Sequence, residues 1–386
     1  MLDIDLARHN GEQAAVWKAY HEGKPIRVPM VLGVNPRYTM WREEVNPRRL
    51  VFEDYFENPD FMFEHQLAHQ HWVAHNLIRD AEMGIPENGW QVYVDLQNSY
   101  EALWFGCRIR YWPNEVPDTV PVLTDDNKRE LFDRGIPDPF DPGGWLGRAW
   151  DYRDHFIEKA SGYEFHGKPV HVGGVPGAGT DGPLTVACNV RGATNVLTDM
   201  YADPDFYHEL MGYIVEATIV RIRAYRERLG EPVETKAWGF ADDSIQLISL
   251  DCYKEFVYPY HRRLVDAFGP EGPNAIHLCG DVARHLKFLQ EALSIQAFDT
   301  GYPIDLGEVR RLLGPGVTLS GGPSVAFLQT ATRDEVDGEV KRILQSGVME
   351  GGKFMLREAN NLPPSVSPEK VMAMYEACKR YGRYEV

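Results

Sequence analysis

His277-Leu278-Cys279-Gly280 ends a short apolar run, Asn274–Cys279, with the composition of a β-strand. Side chains alternate along a strand, so His277 and Cys279 point one way and Leu278 the other. An imidazole and a thiolate side by side make half of a zinc site, and a catalytic zinc needs a third protein ligand and an open position. Asp299, closing the next apolar run, and Glu358, closing the last, could each supply that ligand as an oxygen. The competing reading is a packed histidine beside an inert thiol. A second group is Trp238-Gly239-Phe240-Ala241-Asp242-Asp243-Ser244. Adjacent carboxylates after a strand face opposite ways, so one of Asp242 and Asp243 aims at the site as a general acid, a metal ligand or a substrate contact. The other caps a helix or binds a backbone amide. Tyr93, Asp95 and Gln97 alternate on a third run. Facing inward, Asp95 is a carboxylate in an aromatic setting, where desolvation raises its pKa; with the register shifted it is a surface aspartate.

These residues sit at the ends of strand candidates that alternate with helical patterns. The strands are read over Arg27–Val34, Trp90–Leu96, Pro169–Val175 or Leu184–Val190, Thr235–Ala241, Asn274–Cys279, Ile295–Asp299, Gly316–Ser320 and Lys353–Glu358. Helix ends are legible between them. Asp203-Pro204 opens a helix that Gly230 closes, Thr332 and Glu335 have capping-box spacing, and Ser367-Pro368 starts the last one. Near-eightfold alternation predicts an α/β chain folded as a (β/α)8 TIM barrel over residues 27–386, with a doubly wound sheet as the runner-up. Residues 1–26 form an N-terminal helical extension. Residues 100–165, rich in proline and carrying Trp104, Phe105, Tyr111 and Trp112, form a long insertion that walls or lids a pocket.

Composition narrows the function. The 386 residues carry 40 Lys and Arg against 57 Asp and Glu, a net charge of −17, which repels a phosphate backbone and excludes nucleic acid as a partner. No run of about 18 apolar residues occurs, so no membrane span is expected. The acidic N-terminus lacks the apolar stretch of a signal peptide, and five scattered cysteines argue for a reducing, cytoplasmic setting.

Taken in order, the pieces resemble the uroporphyrinogen decarboxylase superfamily, which includes the methyltransferases acting with corrinoid proteins. The matching stretches are Asp95 with Glu101-Ala102-Leu103, Gly182 to Ala187, Ala241-Asp242-Asp243, Tyr253 to Tyr260, His277-Leu278-Cys279-Gly280, Asp305-Leu306, and Ser367 to Val371 leading to Tyr381-Gly382. The resemblance implies the barrel. It also implies losses: where the decarboxylase has its first arginine, its tyrosine and its late histidine, this chain has Gly33, Asn189 and a position near Asn360, while Arg37 and Asp95 remain. His277-x-Cys279 matches the zinc motif of the methyltransferases, but no second cysteine follows near residues 357–364. An oxygen ligand in its place gives a harder, more Lewis-acidic metal, suited to an oxygen leaving group.

The expected function is therefore O-demethylation: a methyl group moves from a methoxylated, aromatic substrate to the Co(I) centre of a separate corrinoid protein. Asp242, Asp243, Asp95 and Glu358 are the candidate catalytic residues. Tyr93, Arg37, Asn189, Trp238 and Asn360 are the candidate substrate contacts, and His277, Cys279 and Glu358 (or Asp299) the candidate zinc ligands. No corrin-binding Asp-x-His-x-x-Gly motif occurs, so cobalamin is expected on the partner. A homodimer is the candidate assembly. The alternatives are a lyase decarboxylating an aromatic or tetrapyrrole acid with Asp95 and Arg37, and a non-catalytic barrel sensor.

Overall fold

Bulk on one face of the strands and small or polar side chains on the other determine how this chain folds. The computed structural model describes residues 2–384. β1 (Trp90–Val92) pairs in parallel with β5 (Lys168–Val172), and β4 (Glu164–Phe165) lies antiparallel on β5. The hairpin β2 (Arg108–Arg110) and β3 (Asp118–Val120) belongs to the insertion. A five-stranded parallel sheet takes β6 (Gly239–Ala241), β7 (Asn274–Leu278), β8 (Ile295–Thr300), β9 (Thr318–Gly321) and β10 (Phe354–Leu356) in chain order. Helices between consecutive strands make the parallel order possible.

Register in that sheet aligns Phe240, Ile276, Phe298, Leu319 and Phe354 in one buried rung facing the helices. Burying each such side chain stabilises by roughly 1.5–3 kcal/mol. The adjacent rung on the opposite face is Ala241, His277, Asp299, Ser320 and Met355. A one-residue slip would expose the first rung and bury the imidazole and carboxylate of the second, so the register is strongly specified.

Among the described residues the ladders form a parallel five-stranded sheet, a mixed three-stranded sheet and the β2–β3 hairpin rather than one continuous ring. The expected strand Arg27–Val34 is reduced to bridges, with Leu356 N–H donating to Pro29 O and Val31 N–H to Leu356 O, both at 2.9 Å. The free edge of β1 is met by side chains of the helix Pro59–Asn76. Gln66 accepts from Tyr93 N–H at 3.0 Å and donates to its carbonyl at 2.6 Å, and Gln70 donates to Gln91 O at 2.6 Å. Between β5 and β6, Ala241 N–H reaches Thr180 O at 3.4 Å.

Of the two candidates for the third strand, Leu184–Val190 is corrected: it lies in the helix Pro183–Arg191. Its apolar residues fit both periods, and the choice falls to Gly182 at φ 93° followed by Pro183 in the first turn. The capped helices Pro204–Leu229, with Gly230 left-handed at φ 70°, and Arg333–Ile343, with its capping box, follow their sequence signals. Helix Leu6–His21 docks on the body of the fold, with Trp17 donating to Asp80 O at 2.6 Å and Asn10 to Met83 O at 3.0 Å. Residues 100–165 hold helices Tyr100–Trp104, Glu130–Arg134 and Trp145–Ala160 beside the hairpin. Pro117, Asp118 and Thr119 of that insertion wall a pocket at the C-terminal ends of β6 and β7.

Candidate metal centre and active site

The pocket has a volume of about 430 Å³, and Arg37, Asp181, Asn189, Asp243, His277 and Asn360 are among its lining. Four residues from the strand ends meet beside it. Cys279 Sγ lies 3.3 Å from His277 Nε2, and Asp243 Oδ1 lies 3.9 Å from the same nitrogen. One ligand atom from each of Asp243, His277 and Cys279 falls within 4.8 Å of the others. Donors bound to a tetrahedral zinc through bonds of about 2.0–2.3 Å stand roughly 3.4–3.6 Å apart, so this spacing suits such an ion. His277 Nδ1 is engaged by Asp299 Oδ2 at 2.8 Å, which leaves Nε2 free to face a metal.

Asp299 thus orients the imidazole from behind. It also receives Arg357 at 2.7 Å and Ser320 at 2.9 Å. Burial would raise the Asp299 carboxyl, but these partners outweigh it and hold it below its ordinary value. Burial likewise opposes a charge on His277, and the bonds to Asp299 and Cys279 overcome it, lifting the metal-free imidazole to about 10. Glu358 stands apart from the cluster: it is fully buried, and its Oε1 accepts from Gly33 N–H at 2.6 Å. Its Oε2 has no hydrogen-bond partner, and burial pushes the carboxyl up to about 7 against the pull of Arg357. The oxygen donor brought to His277 and Cys279 is therefore Asp243, in place of the expected Glu358 or Asp299.

Asp242 and Asp243 divide as adjacent carboxylates should. Asp242 is wholly buried and accepts from the backbone N–H groups of Leu184 at 3.0 Å and Thr185 at 2.9 Å, binding the start of helix Pro183–Arg191. His261 Nε2 lies 2.9 Å from it, so Asp242 holds the wall in place and does not open onto the pocket. Asp243 turns to the pocket and accepts from Cys279 N–H at 2.7 Å.

The other expected contacts separate into two groups. Arg37, Asn189 and Asn360 line the pocket, and Arg37 donates to Gln97 at 3.1 Å. Asp95 sits behind them, taking bonds from Tyr55 at 3.1 Å and from the Gln97 side chain at 2.5 Å; burial raises its pKa. Trp238 is corrected to a core residue, 6% exposed and stacked on Phe240 at 5.0 Å, so no substrate ring reaches it. Tyr93 is outside the pocket lining, and Trp104 is buried over the guanidinium of Arg221 at 4.7 Å.

Three groups escaped the sequence reading. Asp181 lines the pocket, and burial, aided by Glu101, raises its carboxyl well above the usual range. Arg221 and Glu101 form a buried pair at 2.6 Å beneath it, with Glu101 also accepting from Asp181 N–H at 2.7 Å and Thr180 Oγ1 at 3.1 Å. Arg357 reaches Asp299 and also fills the space at Gly33, where an added Cβ would fall 2.3 Å from its Nη2. Glu101 and Arg221 lie 120 residues apart, and no local pattern joins them.

The sequence model of the uroporphyrinogen decarboxylase (URO-D) family matches residues 172–381, more than half of the chain. The chain belongs to this family. It is 26% identical over 301 residues to uroporphyrinogen decarboxylase of Myxococcus xanthus, covering 75% of this chain and 78% of that protein. To the decarboxylase of Geobacter metallireducens it is 26% identical over 221 residues, 55% of this chain and 62% of the relative. A methylated-thiol–coenzyme M methyltransferase of Methanosarcina mazei is 28% identical over 169 residues, 43% of each chain. The solved structure of a methyltransferase from Methanosarcina mazei superposes with a TM-score of 0.64 at 17% identity, covering 96% of this chain and 98% of that one, which shows a shared α/β fold. Decarboxylases and methyltransferases are thus both relatives of this URO-D family member. Among the described residues no helix is long and apolar enough to cross a membrane.

Proposed function

We propose that this family member is a methyltransferase that takes a methyl group from a methoxylated, aromatic small molecule and passes it to the Co(I) centre of a separate corrinoid protein. The observation that carries this reading is the convergence of Asp243, His277 and Cys279 beside a pocket poor in cations. With His277 taken up as a neutral metal ligand, Arg37 is the one cationic side chain among the described residues of its lining, against the carboxylates of Asp118 and Asp243. A substrate with several carboxylates finds no clamp there, because one charge-assisted contact is worth roughly 1.5–3 kcal/mol and each facing carboxylate repels. A neutral methyl ether has no such demand.

In this reading Asp243, His277 and Cys279 hold a zinc ion, with Asp299 fixing the imidazole tautomer. Zinc bound there supplies Lewis-acid stabilisation of charge on the departing oxygen. The methyl–oxygen bond would break with its electron pair left on oxygen, which takes a proton, and the methyl would pass to the corrinoid protein, whose Co(I) would supply the pair for the new bond. In this reading Asp181 gives that proton and Asn189 and Asn360 hydrogen-bond the ether or a neighbouring hydroxyl, a reading supported by the presence of all three in the pocket lining. The parallel strands β1, β5 and β6 to β10 are taken as parts of one (β/α)8 barrel over residues 27–386, preceded by the extension 1–26, in a cytoplasmic protein that pairs as a homodimer.

The test mixes purified, zinc-loaded protein with methoxylated aromatics and reduced cobalamin, and follows loss of Co(I) with growth of methyl-Co(III). Donor-dependent transfer is expected. Turnover of uroporphyrinogen at a rate normal for an enzyme, or a corrinoid-independent reaction, overturns the reading. The first of these outcomes is what the kinship with decarboxylases and the retained Asp95 and Arg37 favour as the second reading.

A further inference from the structure

Immediately below the rung that carries His277 lies another inward-facing rung. Register sets Gly239 opposite Ala275, Ala275 opposite Ala297, and Ala297 opposite Thr318 across four neighbouring strands. The interior layers of a (β/α)8 barrel are ordinarily filled by valine, isoleucine and leucine. Here the layer is glycine, alanine, alanine and threonine, and the space it leaves is a cavity of about 530 Å³. Tyr100 and Met355 are also in its lining, and Ala241 and His277 belong to the linings of both this cavity and the polar pocket.

Backbone geometry does not demand this smallness. Gly239 has no positive φ, and a Cβ added to it would come no nearer than 3.7 Å to Ala275, an ordinary contact. Gly179, also in the lining, would meet nothing within 4 Å. The rung is small while the opposite face of the same strands is packed with Phe240, Ile276, Phe298 and Leu319, so the chain puts bulk where the helices need it and withholds it inside. A cavity of this size lies within the roughly 300–1,000 Å³ range of pockets that hold small ligands.

We propose that this inner cavity is the seat of the apolar body of the small-molecule substrate, an aromatic ring, with the reacting oxygen pointing back toward His277. The inference rests on reading the adjacent pocket as the reacting site. It divides the substrate: the ring goes down among Gly239, Ala275, Ala297 and Met355, and the polar end stays at Asp243, His277 and Asn360. The mouth then remains open for the acceptor. Methanol, which has no apolar body, would leave the cavity unused.

Calorimetric titration of the full chain with methoxybenzene, toluene and methanol tests this, without any corrinoid present. Methoxybenzene and toluene are expected to compete for one site, and methanol is expected not to displace either. Ala297→Leu fills the rung and is expected to weaken methoxybenzene at least tenfold while zinc content and far-ultraviolet dichroism match the parent. Should that variant fail to fold, Gly239→Ala, which the structure accommodates, is expected to weaken the same probe measurably with an unchanged thermal midpoint. Absence of binding to the parent chain, or equal binding by the filled variants, overturns the proposal. Binding that responds to Ala297→Leu but never leads to methyl transfer retires the methyltransferase reading and leaves the cavity assignment standing. Methyl transfer from methoxybenzene undiminished in Ala297→Leu does the reverse.

Discussion

Replacing Glu358 by glutamine removes the charge from a carboxyl that the fold has left almost without solvation. Gly33 N–H serves Oε1, Oε2 has no partner, and the nearest guanidinium nitrogen, from Arg357, stands 3.7 Å away. Burial lifts the group from an ordinary 4.5 to about 7. Because the folded value is the higher one, the proton stabilises the fold fully below pH 4.5, and that contribution drains away as pH rises toward 7. A shift of this size corresponds to about 3 kcal/mol at 1.36 kcal/mol per unit. Glutamine keeps the bond to Gly33 but leaves its amide nitrogen unpaired, a pH-independent cost of roughly 1–3 kcal/mol. Glu358→Gln is therefore less stable than the parent at pH 5 and equal to it or more stable at pH 8. Urea denaturation of both proteins at half-unit steps from pH 4.5 to 8 reads this directly. Stability differences that stay flat across that window would refute the claim that Glu358 is folded as the neutral acid.

Asp299→Ala deprives His277 Nδ1 of its carboxylate, and zinc affinity should fall roughly 10–100-fold in competition with a chelating dye, with Cys279 still present. Glu101→Gln breaks the buried pair with Arg221, both side chains being at most 1% exposed, and should cost roughly 3–5 kcal/mol in denaturant unfolding, since it strands a buried guanidinium.

The pieces legible in the sequence are those fixed by neighbours along the chain. Period-two alternation from Asn274 to Cys279 places His277 and Cys279 on one face, and the caps at Asp203 and Thr332 follow from hydrogen bonds spanning three residues. What the sequence hid depends on contacts far apart. Which of Asp242 and Asp243 opens to the pocket is decided by the amides of Leu184 and Thr185, nearly sixty residues upstream, which claim Asp242. In the sequence Asp299 is the alternative to Glu358 as third ligand, but it lies behind the imidazole, at Nδ1, where Arg357, just past the end of β10, also holds it. Trp238 reads as a ring-stacking residue, but its partner is Phe240, two positions further along the chain. Leu184–Val190 alternated well enough to pass for a strand; Gly182-Pro183 opens the helix instead, and the long-range grip of Asp242 on its first turn holds it.

The two glutamines at the edge of β1 give the molecule a seam. Within the five-stranded sheet a central strand is released only by parting from its neighbours, a cooperative event. At Gln91 and Tyr93 the partner is a side-chain amide on the helix Pro59–Asn76, and rotating either amide away breaks three hydrogen bonds, each worth about 1 kcal/mol net. The wall can therefore breathe at this line without unfolding either sheet. Deuterium would be taken up at the Tyr93 amide long before the amides of Ile276 and Phe298, and a bulky guest entering the interior would find its give here.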